Sequence, residues 1–214
     1  MIKISEASKD PKTLYIWPEG VFSGYSFDEL RPFKKTILKN FKNEHLILLG
    51  VNRFDKQKNG YYNSLIIINN KMEILQEYKK QKLVPFGEFL PFEKILNKLG
   101  FKKITEGHGS FLRGENQKNL IFDDLNILPL ICYEIIFTKF VQKSNLNTNL
   151  IINISEDGWF GDSIGPYQHF SKSIFRAIEQ NSFLIRSANK GISAIIDNKG
   201  NVIKKLSPNE AGNI

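Results

Sequence analysis

The chain has 214 residues, is 41% hydrophobic and carries a formal net charge of +8, enough length and apolar content to bury one sizeable core and to exclude disorder of the whole. Its single cysteine excludes an internal disulfide and a disulfide scaffold. The positive charge comes mainly from lysines spread along the sequence, without the clustered arginines and interleaved aromatics of a nucleic-acid surface, so no nucleic-acid partner is expected. The opening "MIKISEASKDPK" has no apolar run of signal-peptide length, and nowhere do 18 apolar residues run together, so no transmembrane segment is expected.

Taken in order, "TLYIW" (13–17) reads as a strand. Phe27, Leu30, Phe33, Ile37, Leu38 and Phe41 then recur at helical spacing, with Pro32 near the start of the helix. "HLILLGV" (45–51) and "SLIIIN" (64–69) are strand-like, and "INNKME" (68–73) is turn chemistry leading to a further strand-like run, "EILQEY". "NILPLICY" (126–133) and "NLIINIS" (149–155) read as strands buried on both faces. A second helix is predicted from about Pro166, with a core stripe of Phe170, Ile174, Ala177 and Ile178. "FLIRSA" (183–188) and "ISAIID" (192–197) are strands, and "DNKGNV" (197–202) is a second hairpin turn. Strands alternating with helices, with hairpins added, predict a layered α/β architecture with a mixed sheet. No repeat or linker divides the chain, so one domain over residues 1–214 is expected.

Three polar residues come just after apolar strands: Glu19 after "YIWP", Lys80 after "EILQEY" and Cys132 after "ILPLI". In layered α/β folds sites are built at such strand ends. Taken singly, each has a plainer reading: a turn acid, a surface lysine, a small core hydrophobe. Together they make chemical sense. A thiol of ordinary pKa, about 8.5, is only a few per cent thiolate at neutral pH and needs a base or a cation beside it. Glu19 could take its proton, and Lys80 could stabilise the oxyanion formed when sulfur attacks a carbonyl. No metal and no organic cofactor is required.

The order "WPE", "YKKQKLVPFGEFLPF", "ICYEIIF" resembles the nitrilase, or carbon–nitrogen hydrolase, superfamily with its Glu-Lys-Cys triad. Two further stretches, "DGWFGDSIGPYQHF" and "FRAIEQNSFLIRSANKGISAIIDNKG", resemble the apolipoprotein N-acyltransferases of bacterial lipoprotein maturation. The resemblance implies a four-layer α-β-β-α sandwich. It implies Glu19 as general base, Cys132 as nucleophile and Lys80, two after Tyr78, as the triad lysine rather than Lys79 or Lys82. It matches Glu88, Tyr133 and Glu134 to residues that shape the family's site, and it implies acyl transfer through a Cys132 thioester. The donor would be a phospholipid, and the acceptor the α-amine of a diacylglyceryl-Cys apolipoprotein. The parent family sits in the bacterial inner membrane with its catalytic domain on the periplasmic face. Full-length members carry membrane-embedded segments that this chain lacks, so a catalytic domain incomplete at both ends is expected, soluble on its own.

Within the motifs, Gly20 replaces the usual Ser or Thr, Lys82 stands where the family pattern has His, and Glu156 and Lys190 stand where Asn is usual. A soluble amidase of the superfamily and a non-catalytic remnant of a split gene therefore stay open as alternatives. Phe86, Phe89, Leu90, Phe92, Trp159 and Phe160 are candidates for a lipid-admitting mouth, with ordinary core as the competing reading. His45, His108 and His169 are expected to be structural or surface residues. Glu156, Asp157 and Asp162, which lack the alternation of a calcium loop, are expected to form a solvated loop.

Overall fold

A computed structural model describes residues 1–6, 8–10, 12–92, 109–115, 119–143 and 147–214. His108 lies outside them. The first sheet holds β1 (Leu14–Ile16), β2 (Leu46–Asp55), β3 (Gly60–Asn69) and β4 (Ile74–Lys79) in that order. The second holds β5 (Leu120–Phe122), β6 (Leu125–Ile131), β7 (Leu150–Glu156), β8 (Phe183–Asn189), β9 (Ser193–Ile196) and β10 (Val202–Leu206), in reverse chain order. Both sheets are mixed. β1 runs parallel to β2 while β2, β3 and β4 are antiparallel, and β6, β7 and β8 are parallel between antiparallel flanks.

Strand alternation assigns each face. In β2 and β3, Leu48, Leu65 and Ile67 point one way and pack with Ile127, Ile131, Ile152 and Ile154 of the second sheet. Ile47, Leu49, Ile66 and Ile68 point the other way, onto Phe27, Leu30 and Ile37. On the far side, Leu128, Leu130, Ile151 and Leu184 meet Ile135, Val141 and Ala177. These three apolar layers are the interior of an α-β-β-α sandwich. Its outer layers include a 3₁₀ helix (Phe27–Phe33) running into α1 (Lys34–Asn40) on one side, and α2 (Thr138–Lys143) and α3 (Gly165–Glu179) on the other.

The two helix expectations hold in place but differ in detail. Pro32 has no N–H to donate, and the segment through it takes the tighter 3₁₀ form, opened by a capping box in which the Ser26 N–H donates to Glu29 at 2.7 Å. Phe33 and Leu38 are exposed. In α3 the buried line is His169, Ser173, Arg176 and Ala177, and Ile178, one residue further round the helix, faces outward. Phe170, Ile174 and Ala177 of the predicted stripe pack on the second sheet's outer apolar cluster, and His169, Ser173 and Arg176 share that inward side with them. The hairpin turn at 55–60 and the short β5 carry too little apolar periodicity to be read in advance. No helix among the described residues is long and apolar enough to cross a membrane.

Leu65 is fully buried between the sheets. Leu65→Ala should lower unfolding free energy by about 2–5 kcal/mol in urea titrations. Phe175→Ser, on the outward face of α3, should change it by no more than about 0.5 kcal/mol.

Candidate active site

On the inter-sheet face, the apolar run Ile67–Leu65 of β3 continues into Asn63, and Tyr78 of β4 continues into Lys80. Glu19 enters from the end of β1, over Gly50 of β2. A Cβ at Gly50 would lie 3.1 Å from the Glu19 Cα and 2.9 Å from Ile154, so only glycine lets the Glu19 backbone come this close. The Lys80 side chain, 1% exposed, places its ammonium 2.9 Å from Glu88 Oε1 and 3.9 Å from Glu19 Oε1. Asn63 Nδ2 donates to both acids, at 2.7 Å to Glu19 and 2.9 Å to Glu88. The Glu156 N–H at 3.0 Å holds the second Glu19 oxygen, and the Val84 N–H at 2.9 Å holds that of Glu88.

Cys132 directly follows β6. By alternation its side chain would fall on the helix side with Leu128 and Leu130. Instead its backbone is left-handed, φ +49°, and its side chain joins the inter-sheet cluster, 9% exposed. A non-glycine residue there carries roughly 1–3 kcal/mol of strain. The turn therefore swings the thiol off the helix face and toward the acids and Lys80, whose charges act on it. Burial, then the Glu19 carboxylate, push the thiol up to about 12 against the pull of Lys80 and a hydrogen bond with Ser155. Burial also raises Glu19, with Lys80 opposing it. Burial works against the Lys80 charge, but Glu88 and Glu19 outweigh it and hold the ammonium protonated. The resting site thus keeps a neutral thiol beside a fixed cation and two carboxyl groups, one of which can accept the thiol proton as sulfur attacks.

Glu134, fully buried, ties the Cys132 turn to the end of β4. It accepts from the Ile131 N–H at 2.9 Å, the Gln81 N–H at 2.7 Å, the Lys82 N–H at 3.0 Å and the Tyr78 hydroxyl at 2.9 Å. Burial raises its carboxyl group, against these donors. Tyr133 is at the surface, its ring 5.6 Å from that of His169. Lys79 and Lys82 point elsewhere, over the rings of Tyr62 and Phe140.

The candidate mouth divides. Phe86, Phe92 and Trp159 are exposed, Phe92 by 81% and Trp159 by 66%. Leu90 is buried, and Phe160 is half-buried with its ring 5.7 Å from His169. The expected solvated loop is corrected at Asp157, which is 1% exposed. Its carboxylate accepts from Ser155 Oγ at 2.7 Å and Arg186 Nη2 at 2.7 Å and lies 3.0 Å from His169 Nδ1. His169, in turn, is buried as a structural residue should be. Asn63, Asn153, Ser155 and Arg186 escaped the sequence reading. Their signal is a polar residue breaking an apolar strand: "YYNSLIII", "IINIS", "FLIRSA". Among the described residues no group of three or more His, Cys, Asp or Glu side chains could hold a metal ion.

A two-sheet sandwich with an acid, a lysine and a cysteine at its strand ends is the frame of the carbon-nitrogen hydrolases, and the chain belongs to that family, whose model matches residues 1–214. Curated relatives sharpen the likeness. It is 40% identical over 218 residues to an apolipoprotein N-acyltransferase of Rickettsia typhi, covering 98% of this chain and 42% of that protein. It is 37% identical over 218 residues to one of Rhodopseudomonas palustris, covering 96% of this chain and 40% of that protein. The chain thus spans about two-fifths of the length of these relatives. The fold matches a carbon-nitrogen hydrolase superfamily protein of Xanthomonas campestris with TM-score 0.65 at 18% identity, over 96% of this chain and 77% of that one.

The site's ionisation sets an expected acid response. The bonds to His169 and the Arg186 charge outweigh burial and hold Asp157 at about 2, below its ordinary 3.8. A depressed carboxyl group contributes stability that is whole above pH 3.8 and lost as pH falls to about 2, here about 2 kcal/mol. Glu19 and Glu134, being raised, act with the opposite sign and gain stability as pH falls toward 4.5. Urea midpoints should therefore rise as pH falls toward 4.5 and drop below about pH 4, and Asp157→Asn should flatten the drop.

Proposed function

We propose that the chain carries the catalytic chemistry of a phospholipid-to-apolipoprotein N-acyltransferase. The observation that carries this reading is the buried Lys80 ammonium held between Glu19 and Glu88 beside the left-handed Cys132 turn. In the first step Glu19 takes the thiol proton as Cys132 Sγ attacks the ester carbonyl of a phospholipid. The Lys80 ammonium stabilises the oxyanion. Collapse breaks the ester C–O bond, the proton passes from Glu19 to the departing lysophospholipid alkoxide, and the acyl group stays on sulfur as a thioester. In the second step the neutral α-amine of a diacylglyceryl-Cys N-terminus attacks the thioester. Glu19 takes its proton and returns it to the leaving sulfur, so an amide forms and the thiol is restored. The exposed Phe86, Phe92 and Trp159 suit an apolar rim for lipid chains.

General-base assistance suits this site better than a preformed thiolate. With the thiol pushed up to about 12, only roughly one molecule in 10⁵ would hold a thiolate at pH 7. A superfamily amidase is the second reading, supported by the same three residues, which would act on a small amide.

Two measurements separate the readings, and a third tests the base they share. After incubation with phospholipid vesicles, mass spectrometry should find an acyl thioester on Cys132 that transfers to a diacylglyceryl-Cys peptide. Release of ammonia from small amides without any lipid adduct would favour the amidase. Glu19→Gln should slow acylation or iodoacetamide labelling about 10²–10⁴-fold. An unchanged labelling rate would remove Glu19 from the role of base.

A further inference from the structure

The Cys132 turn has a second side. Strand alternation puts Asn153 and Ser155 of β7 and Arg186 of β8 on the helix face of the second sheet, beneath α3, where His169 comes down from above. All four side chains are buried, together with Asp157, and they converge on the backbone carbonyl of Cys132. His169 Nε2 lies 3.2 Å from that oxygen, and Asn153 Nδ2 lies 3.4 Å from it and 3.2 Å from the Leu130 oxygen. Arg186 fixes both donors: Nη1 donates to Asn153 Oδ1, and Nη2 reaches Asp157 Oδ2 at 2.7 Å and His169 Nδ1 at 3.2 Å.

A carbonyl accepts only, so His169 bonds to it with a proton on Nε2. The Asp157 carboxylate, 3.0 Å from Nδ1, also only accepts, so the ring makes both bonds with a proton on each nitrogen; burial and the Arg186 charge work against that imidazolium, and Asp157 supports it. Ser155 closes a ring of contacts. Its hydroxyl donates to Asp157 Oδ1 at 2.7 Å, on the same carboxylate oxygen that His169 Nδ1 meets. Cys132 is thus held at its carbonyl by His169 and Asn153, while its strained φ is what turns the thiol into the inter-sheet site. None of these side chains reaches Glu19, Lys80 or Glu88 in any hydrogen bond among the described residues.

We propose that His169, oriented by Asp157 and Arg186, is a positioning residue for Cys132. Its Nε2–H holds the Cys132 carbonyl and so keeps the left-handed backbone that aims the thiol at Glu19 and Lys80. The proposal rests on Cys132 being the nucleophile, and it adds a second layer to the site on the opposite face of the sheet. An aromatic ring without a donor would fill the space and leave the carbonyl only the longer 3.4 Å contact from Asn153; a glutamine would supply an N–H near the position of Nε2.

The single cysteine makes the test direct, because cysteine labelled with ¹³C at its carbonyl marks one peptide group in the whole chain. In isotope-edited infrared spectra, His169→Phe should move that carbonyl band to higher frequency, as a hydrogen bond is lost, and His169→Gln should bring it back. Iodoacetamide labelling of folded protein should slow at least about tenfold in His169→Phe and return to within about threefold of wild type in His169→Gln. Wild-type labelling by His169→Phe with a shifted band would overturn the positioning role, because the bond would be lost without consequence. An unshifted band would overturn the bond itself. If His169→Phe does not fold, His169→Asn takes its place, because its shorter amide can still reach Asp157 but not the carbonyl: labelling at least about tenfold slower with a shifted band supports the positioning role, and wild-type labelling overturns it. Failure of the underlying reading looks different. Wild type and Glu19→Gln would then label equally slowly, while the carbonyl band still reported the His169 contact.

Discussion

A fully buried ammonium is the constraint from which the rest of the site follows. An unpaired charge removed from water carries a penalty of several kcal/mol, so Lys80 is tolerable inside the sandwich only with acids against it. Glu88 supplies the direct contact and Glu19 the longer one. Two acids around one cation leave surplus negative charge, which Asn63 and the N–H groups of Val84 and Glu156 stabilise by hydrogen bonds. Burial first, and the Glu19 charge second, keep the neighbouring thiol protonated at rest. The arrangement therefore holds two carboxyl groups and an ammonium side by side next to a neutral thiol.

Lys80 also fixes where strands must end. Glu134 collects N–H groups from Ile131 on the second sheet and from Gln81 and Lys82 just beyond β4 on the first. One buried carboxyl group thereby joins the two strand ends that carry the lysine and the cysteine. Its neighbours in sequence are hydrophobic, and its place in "CYEIIF" looks like a helix start, which it also is. The joining role belongs to the tertiary structure alone.

What could be read from the sequence is what repeats locally. Apolar runs marked the strands, and strand alternation with turn chemistry led to a mixed, layered α/β fold. Glu19, Lys80 and Cys132 stood out because each follows such a run. Asn63, Asn153 and Arg186 did not, because a single polar residue inside an apolar strand has no pattern around it; its partner lies on another strand or helix. Asp157 was misread for a related reason. Its neighbours Glu156 and Asp162 suggest solvent, yet the short 3₁₀ turn that it opens folds it inward onto Arg186 and His169. The exposure of Ile178 has a related origin: His169, Ser173 and Arg176 share the inward side of α3 with Phe170, Ile174 and Ala177, and Ile178 at the edge of the stripe is left outside.

The departures from the family pattern are physically linked rather than scattered. Gly20 has φ +78°, and a Cβ there would collide with the Glu156 carboxylate. The larger acid at 156 thus occupies room that the missing side chain at 20 leaves open. Burial raises the Glu156 carboxyl group; the Gly158 N–H, Asn189 Nδ2 and the Lys190 charge oppose that rise. Lys190 is itself one of the substituted positions, so three of the four changes meet at one place, directly behind the strand end that holds Glu19. The fourth, Lys82, lays its ammonium 5.4 Å from the Phe140 ring centre, outside the cluster of acids. The Glu156 backbone N–H still donates to Glu19. A main-chain donor is indifferent to the side chain it carries, so the contact that orients the acid survives the exchange of the residue that makes it.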